Sequence, residues 1–535
     1  MARTLRTALS LAFFSTSLAC AEQDGEDEGG GGGGKGDNLA DKGICAGKVF
    51  DKSLGDEGEE QADLSELGDV FARLVLQAEG DEAECPTTHG EVMAKLREVD
   101  NENCEGVRDG IRSAVVTETA QVMGKADSYR VVTTRQCGDR SAFELLFSTF
   151  GVTSTQKTLS GNVEVIAFDR TKKLFNYYEV TGGQINHFGD STQFFTGEGE
   201  SRCDGCHPSG KLIMKELAAP WVHWEGDTTT PGADALVDKH DDLGTKTDGI
   251  ELEGIVDEGN AAILAEHTKA LLATNDLKKV LRPLFCTVQI NIESATSSSG
   301  SKPGEVPGSA LVDSRLGFGS VSVSDASYDA QLKTAKQVIV GNNGAQLKNK
   351  SGKGVVDTHF AFSFPVVSRE DQSYIDKLVE LKVIDEGFKQ DVLAIDMTRP
   401  LFSDARCRLL DQAPTTLGKL TTSTGKAVKS LPKKIRDGFV AKLKTPAAGT
   451  PEATFVAFLK DTKDATKHSE AVATFFAACS ARPEAEFFAD ANKVVSLARS
   501  QVRQLQVVEF PATLPQDSLN VPTSAKLNPT TCVLE

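Results

Sequence analysis

The sequence predicts an α+β protein, in which an antiparallel β-meander leads into a cysteine-containing segment and a largely α-helical C-terminal half follows. Four stretches rich in strand-forming residues are separated by turn residues: Phe143–Phe147, Val163–Phe168, Leu174–Val180 and Gln184–Phe188. Between Ala427 and Gln504, apolar residues recur at helical spacing instead. Strands that precede helices, and do not alternate with them, are typical of the α+β class.

Residues 1–20 are predicted to be a lipoprotein-type signal peptide. Arg3 and Arg6 precede an apolar run from Ala8 to Phe14 that is too short to span a bilayer. The run leads to Ser17-Leu18-Ala19-Cys20, which resembles the bacterial lipobox, whose cysteine carries the lipid. That family prefers an aliphatic residue where Ser17 stands, so an ordinary export signal cleaved nearby is the alternative. Either signal places the chain outside the cytoplasm.

Residues 21–40 are predicted to be a flexible tether. They are acidic and contain an unbroken glycine run from Gly29 to Gly34, which cannot bury enough apolar surface to fold. Ala21, in place of an aspartate, resembles the outer-membrane sorting choice of bacterial lipoproteins. The resemblance implies an outer-membrane anchor facing the periplasm or the cell surface, and a soluble periplasmic protein is the alternative.

The region 41–140 is predicted to be a separate, cysteine-containing N-terminal unit. It holds four cysteines, and its apolar residues from Leu64 to Leu76 recur at helical spacing. The predicted strands begin just beyond it. The region 141–226 is therefore predicted to be a β-rich domain that ends with the cysteine motif.

The motif Cys203-Asp204-Gly205-Cys206-His207 reads C-x-x-C-H, the attachment signature of a c-type haem. The two thiols would bond to the haem, and the imidazole of His207 would be the proximal iron ligand. A structural zinc site usually needs a second close Cys or His pair, and the chain has no second C-x-x-C. A thioredoxin-like redox pair needs a βαβ context, whereas strands joined by turns precede this motif. An ordinary disulfide would leave His207 without a role. One covalent haem c is therefore the predicted cofactor.

Three side chains are candidates for the sixth iron ligand: Met214, His223 and His187. Met214 lies only seven residues after His207, and on one continuous helix the two would share a face. The sequence Pro208-Ser209-Gly210 interrupts such a helix and allows the chain to reverse. His187 lies on the last predicted strand. An open or water-bound iron is the fourth possibility.

The order of elements from Phe143 to His207 resembles sheet-built c-type haem proteins, namely the hydroxylamine-oxidising cytochromes and the β form of cytochrome c prime. The resemblance implies a five-coordinate or exchangeable iron, and with it redox catalysis or the binding of small gases. Trp221 and Trp224 are the only tryptophans of the chain. We expect them to line the haem pocket or to fill the core beside it.

Cysteine usage is consistent with export. The chain has 11 cysteines, of which Cys20, Cys203 and Cys206 have predicted roles. The even remainder predicts up to four disulfides among 105 possible connectivities, with free buried cysteines as the alternative. These eight are Cys45, Cys85, Cys104, Cys137, Cys286, Cys407, Cys479 and Cys532.

The remaining chain divides into two predicted regions. Residues 227–310 are predicted to be helical, with helical periodicity from Glu251 to Leu284 and a Ser/Gly/Pro-rich linker at the end. Residues 311–535 are predicted to be mixed at first and then helical, with one helix opening at Ser368 in a pattern close to a capping box. Their pattern predicts packing against the predicted haem domain or a surface for a partner, and it contains no metal-binding or nucleophile motif.

Three functions compete at this point. The first is electron transfer through the haem to a redox partner protein or small redox substrate, by a protein held on the membrane through its N-terminal lipid. The second is a haem enzyme or gas binder with an open iron, acting on peroxide, hydroxylamine or nitric oxide, so enzymatic activity is left open. The third is a structural surface lipoprotein without haem. The net charge of −19 argues against nucleic-acid binding.

Overall fold

The structure is a computed structural model. It describes residues 43–53, 60–81, 84–103, 110–117, 128–135, 144–153, 159, 161–196, 243, 245–247, 249–295, 302–316, 319–340, 346, 354, 356, 362–415, 417–460, 467–504 and 514–535. The predicted signal peptide, the tether and the C-x-x-C-H motif lie outside these residues.

An eight-stranded sheet forms the centre of the N-terminal half, in the order β1-β7-β6-β5-β4-β3-β2-β8. Strands β2 to β7 follow one another as an antiparallel meander, as the sequence predicts. Short strands pair in parallel at both edges, β1 with β7 and β8 with β2. The strands are β1 Val49–Asp51, β2 Ile111–Thr117, β3 Ser128–Arg135, β4 Leu145–Thr153, β5 Val163–Asp169, β6 Leu174–Thr181, β7 Gln184–Asp190 and β8 Thr245–Lys246.

The sheet is wider than the four stretches that the sequence pattern predicts. Its strands β2 and β3 come from the 41–140 region, and they pair with each other and with β4 in one continuous ladder. One sheet therefore contains strands from both sides of residue 140.

One face of the sheet packs against an N-terminal layer that includes α1 (His89–Asn103). Within this layer, the Cys45–Cys85 disulfide links two chain segments. The single helix expected from Leu64 to Leu76 is absent there. The chain forms a 3-10 turn at Leu64–Glu66 and a π-helix at Ala72–Leu76 instead. The reason is Asp69, whose side chain accepts a hydrogen bond from Ala72 N at 2.9 Å and so starts a new turn.

The opposite face packs against α3 (Gly249–Ala273) and strand β9 (Ile290–Ser294), with α2 (Ser191–Thr196) at the end of β7. The periodic stretch from Glu251 to Leu284 is two helices, because the chain turns at Asn275 with a φ of 54°. Helix α4 (Leu277–Phe285) begins there, and the Asp276 side chain accepts from the first free backbone N–H groups.

The C-terminal half is largely helical, as predicted, with two apolar cores. Ser368 caps its helix as the sequence predicts, since its hydroxyl accepts from Asp371 N at 3.2 Å. The helices are α5 Asp325–Ala335, α6 Arg369–Glu380, α7 Glu386–Leu393, α8 Asp404–Leu409, α9 Leu431–Leu443, α10 Pro451–Lys460, α11 Lys467–Ser480 and α12 Glu484–Gln504. Two antiparallel pairs complete it, β9 (Ile290–Ser294) with β12 (Ser363–Val367) and β10 (Glu305–Pro307) with β11 (Ser320–Ser322).

Across the ranges that the structure covers, every helix is either too short or too polar to cross a bilayer.

Candidate functional site

His187 is the one predicted ligand that the structure describes. It lies on β7, the strand that leads towards the C-x-x-C-H motif. The other predicted positions lie outside the described residues: Cys20, Cys203, Cys206, His207, Met214, Trp221, His223 and Trp224. Their roles stay predictions.

A β-bulge shapes the chain around His187. Strand β7 pairs Tyr178 with His187 and Asn176 with Asp190, so β7 has one more residue than β6 between these pairs. Gly189 in the bulge has a φ of 94°, and a side chain there would collide with Gln193. Only glycine adopts this conformation without strain, and bulges of this kind re-aim the neighbouring side chains.

The bulge places His187 in a buried polar cluster, which we call the Asp69 cluster and define as Asp69, Asn176, Tyr178 and His187. The Asp69 carboxylate accepts hydrogen bonds from Ala72 N at 2.9 Å, from Asn176 Nδ2 at 2.8 Å and from the Tyr178 hydroxyl. Asn176 Oδ1 lies 3.3 Å from His187 Nε2. Asn176 therefore connects the carboxylate to the imidazole.

Burial shifts the protonation equilibria of this cluster. It raises the pKa of the Asp69 carboxyl, and the hydrogen bonds from its three donors oppose the shift. It raises the pKa of the Tyr178 hydroxyl well above its usual value, and the Asp69 charge adds to the effect. It lowers the pKa of His187, although the carboxylates of Asp51 and Asp69 oppose the change. At neutral pH, His187 is therefore a neutral imidazole, the form that binds metals.

The connection from the cluster to the motif is short. Strand β7 ends at Asp190, whose side chain accepts from Thr192 N at 2.7 Å and opens helix α2. Cys203 follows His187 by sixteen residues. Fully extended, such a connection is at most about 58 Å long. It is long enough for the motif to fold back towards His187.

Sequence reasoning missed Asp69, Asn176 and Tyr178. The signal that could have identified them is a polar residue at a position where the pattern predicts a buried apolar one. Asp69 interrupts the apolar pattern from Leu64 to Leu76, and Asn176 and Tyr178 occupy alternate positions that share one buried face of strand β6. Polar residues at core-facing positions are informative because burying them costs free energy unless they find partners.

Three disulfides join six of the eight remaining cysteines: Cys45–Cys85, Cys286–Cys407 and Cys479–Cys532. Cys104 and Cys137 lie outside the described residues. Among the residues that the structure describes, no group of three or more His, Cys, Asp or Glu side chains is arranged to hold a metal ion. The motif thus stays the predicted metal centre.

The candidate site has two parts: the C-x-x-C-H motif, and the Asp69 cluster, whose His187 lies on the strand that leads towards the motif. Its chemistry has to be inferred from these residues. No family model, curated protein or solved structure matches the chain.

Proposed function

We propose that the protein is an exported, lipid-anchored c-type cytochrome with one haem, which transfers electrons to a redox partner. The observation that carries this proposal is the C-x-x-C-H sequence from Cys203 to His207. Cys203 and Cys206 hold the haem covalently, and His207 binds its iron. The bound haem supplies one-electron chemistry, and the chain supplies its attachment and ligation.

Cysteine pairing supports the proposal. The three described disulfides pair six cysteines outside the motif. Disulfides also persist mainly outside the cytoplasm, which is where covalent haem attachment in bacteria takes place. The lipobox-like Ser17–Cys20 sequence and the glycine-rich tether support an anchored body.

Electron transfer is the simplest function for such a chain, because it requires only the haem and a surface on which a partner docks. A haem enzyme or gas binder is the second candidate, and the Asp69 cluster favours it. Asp69, Tyr178 and His187 are buried groups with shifted pKa values, and such groups concentrate at functional sites. The two functions differ in whether the iron has an exchangeable position.

The first experiment is the absorption spectrum of the full chain, exported together with a haem-attachment system. Electron transfer predicts a low-spin haem whose reduced spectrum stays unchanged when carbon monoxide is added. An immediate spectral change would indicate an open iron and select the enzyme or gas binder. Absence of covalent haem would overturn the proposal and leave the structural lipoprotein.

Matched variants test the attachment residues. Replacing both motif cysteines, with Cys203→Ser and Cys206→Ser, should abolish covalent haem. The control replaces a disulfide pair away from the motif, with Cys479→Ser and Cys532→Ser, and should retain it. Far-ultraviolet circular dichroism of each variant shows whether a loss of haem reflects a loss of folding.

The sixth ligand is tested with Met214→Leu, His223→Gln and His187→Gln. Only the variant that lacks the true ligand should convert a low-spin spectrum into one that responds to carbon monoxide. If all three variants keep the wild-type spectrum, none of these residues binds the iron.

A further inference from the structure

We propose that Cys286–Cys407 is a redox-active disulfide, which an external dithiol reduces and a small-molecule disulfide re-forms by thiol–disulfide exchange while the protein stays folded. The disulfides Cys45–Cys85 and Cys479–Cys532 are structural. This second redox site is independent of the haem, because every observation that supports it comes from the described C-terminal half.

Accessibility distinguishes this disulfide from the other two. Cys286 and Cys407 are both half-buried. The cysteines of the other pairs are at most 5% exposed. Thiol–disulfide exchange requires an attacking thiolate to reach one sulfur atom, so the rate depends on access. A dithiol should therefore react first at Cys286–Cys407.

Hydrogen bonds on both sides of the disulfide hold its two chain segments together without the covalent bond. Arg406 Nε donates to the carbonyl oxygen of Phe285 at 3.3 Å, which joins the residues directly before each cysteine. On the other side, the Thr287 hydroxyl donates to the carbonyl oxygen of Leu401. Neither contact needs the sulfur–sulfur bond.

A buried ionic cluster, made of Asp313, Arg315 and Arg406, adds a third connection. Arg315 donates to both oxygens of Asp313, at 2.8 and 2.7 Å, and to the carbonyl oxygen of Pro283 in α4 at 2.7 Å. Arg406 Nη1, in α8, lies 3.8 Å from Asp313 Oδ2. The cluster therefore connects the helix before Cys286 to the helix that contains Cys407.

Apolar packing also holds α4 and α8 together without the disulfide. Leu284 and Phe285 of α4 and Leu409 of α8 are completely buried in one core. Because these contacts remain when the sulfur–sulfur bond breaks, the two thiols stay near each other and can re-form the bond. We therefore expect that reduction leaves the fold intact and that the two thiols can form the disulfide again.

The exchange is balanced with a dithiol as the reductant. One thiolate of the dithiol attacks a sulfur of the pair, which breaks the Cys286–Cys407 bond and forms a mixed disulfide. The second thiolate of the dithiol then displaces the protein sulfur. Two electrons and two protons reach Cys286 and Cys407, and the dithiol leaves as its own disulfide.

The test titrates the full, folded chain with the small-molecule dithiol dithiothreitol. Alkylation and peptide mass analysis then count the free thiols residue by residue, and any contribution from Cys203 and Cys206 is seen separately. We expect Cys286 and Cys407 to be alkylated at a dithiothreitol concentration at least tenfold lower than the other two pairs. Circular dichroism should stay unchanged, and the bond should re-form when the dithiothreitol is replaced by oxidised glutathione, which takes up the two electrons and two protons as it becomes two thiols.

Two results would overturn the proposal: reduction of the three pairs together, or reduction only with loss of the circular dichroism signal. A variant with Cys286→Ser and Cys407→Ser provides a second measurement. It should fold and lose the low-concentration alkylation step, whereas Cys479→Ser with Cys532→Ser should keep that step. A double variant at Cys286 and Cys407 that fails to fold would show that this bond is structural.

Discussion

Acidification should destabilise the protein through His89, the first residue of α1. Its side chain is completely buried, and Nε2 lies 3.0 Å from the Thr133 hydroxyl, which in turn lies 3.0 Å from the Ser113 hydroxyl. Among the described residues, its Nδ1 atom has no hydrogen-bond partner. Burial therefore lowers the pKa of His89 from 6.5 to about 3.

The direction and size of the effect follow from the difference between the His89 pKa in the unfolded chain and in the folded chain. Below pH 6.5 the unfolded chain takes up a proton at His89, while the folded chain does not until the pH approaches 3. The stabilisation is therefore complete above pH 6.5 and is lost as the pH falls, by about 1.4 kcal/mol per pH unit. Between pH 7 and 4.5 the free energy of unfolding should fall by about 2.5 kcal/mol through His89 alone.

Urea unfolding followed by circular dichroism at pH 7 and pH 4.5 measures this effect. In His89→Gln, which does not titrate and still presents an amide to Thr133, the pH-dependent loss should be about 2.5 kcal/mol smaller than in the wild type. Thr133→Val is the matched control, since it removes the hydrogen-bond partner and keeps the imidazole. An equal loss in wild type and His89→Gln would refute the reasoning.

Three further predictions concern the site and the anchor. Tyr178→Phe removes one of three donors to the buried Asp69 carboxylate and should lower the free energy of urea unfolding by about 1–3 kcal/mol, so a loss near zero would contradict the hydrogen bond. Gly189→Ala should lower the melting temperature, because the positive φ of 94° disfavours a side chain that would also meet Gln193; an unchanged melting temperature would argue against the bulge. Cys20→Ser should move the protein from the detergent phase to the aqueous phase in phase partitioning, and a wild type already in the aqueous phase would exclude the lipid anchor.

The sequence pattern was sufficient for the strands between residues 163 and 190, which are rich in strand-forming residues and separated by turn residues. The predicted stretches Val163–Phe168, Leu174–Val180 and Gln184–Phe188 each begin at the residue where β5, β6 and β7 begin. The pattern did not reveal β2 and β3, in which polar and apolar residues are mixed and pairing with neighbours determines the structure. In the stretch from Glu251 to Leu284, helical periodicity continued across a boundary between two helices. Asp276, a helix-capping residue type inside that stretch, was the available sign of the boundary.

The candidate site shows a different limit. Asp69 and Tyr178 are 109 residues apart, and no local pattern indicates that the turn containing Asp69 packs on strand β6. The bulge at Gly189 that aims His187 at them depends on strand pairing. The C-x-x-C-H pattern, in contrast, could be read directly from the sequence, because it is contained in five consecutive residues.

The short strands at the two edges of the sheet have a consequence for expressing parts of this protein. Strand β1, residues 49–51, covers the free side of β7, and β8, residues 245–246, covers the free side of β2. The chain crosses six strand spacings, about 29 Å, between β7 and β8. A fragment of residues 141–226, although it contains the predicted strands and the C-x-x-C-H motif, would expose unpaired backbone along β4 and β7. Such edges recruit other chains, so this fragment should aggregate where the longer chain remains dispersed.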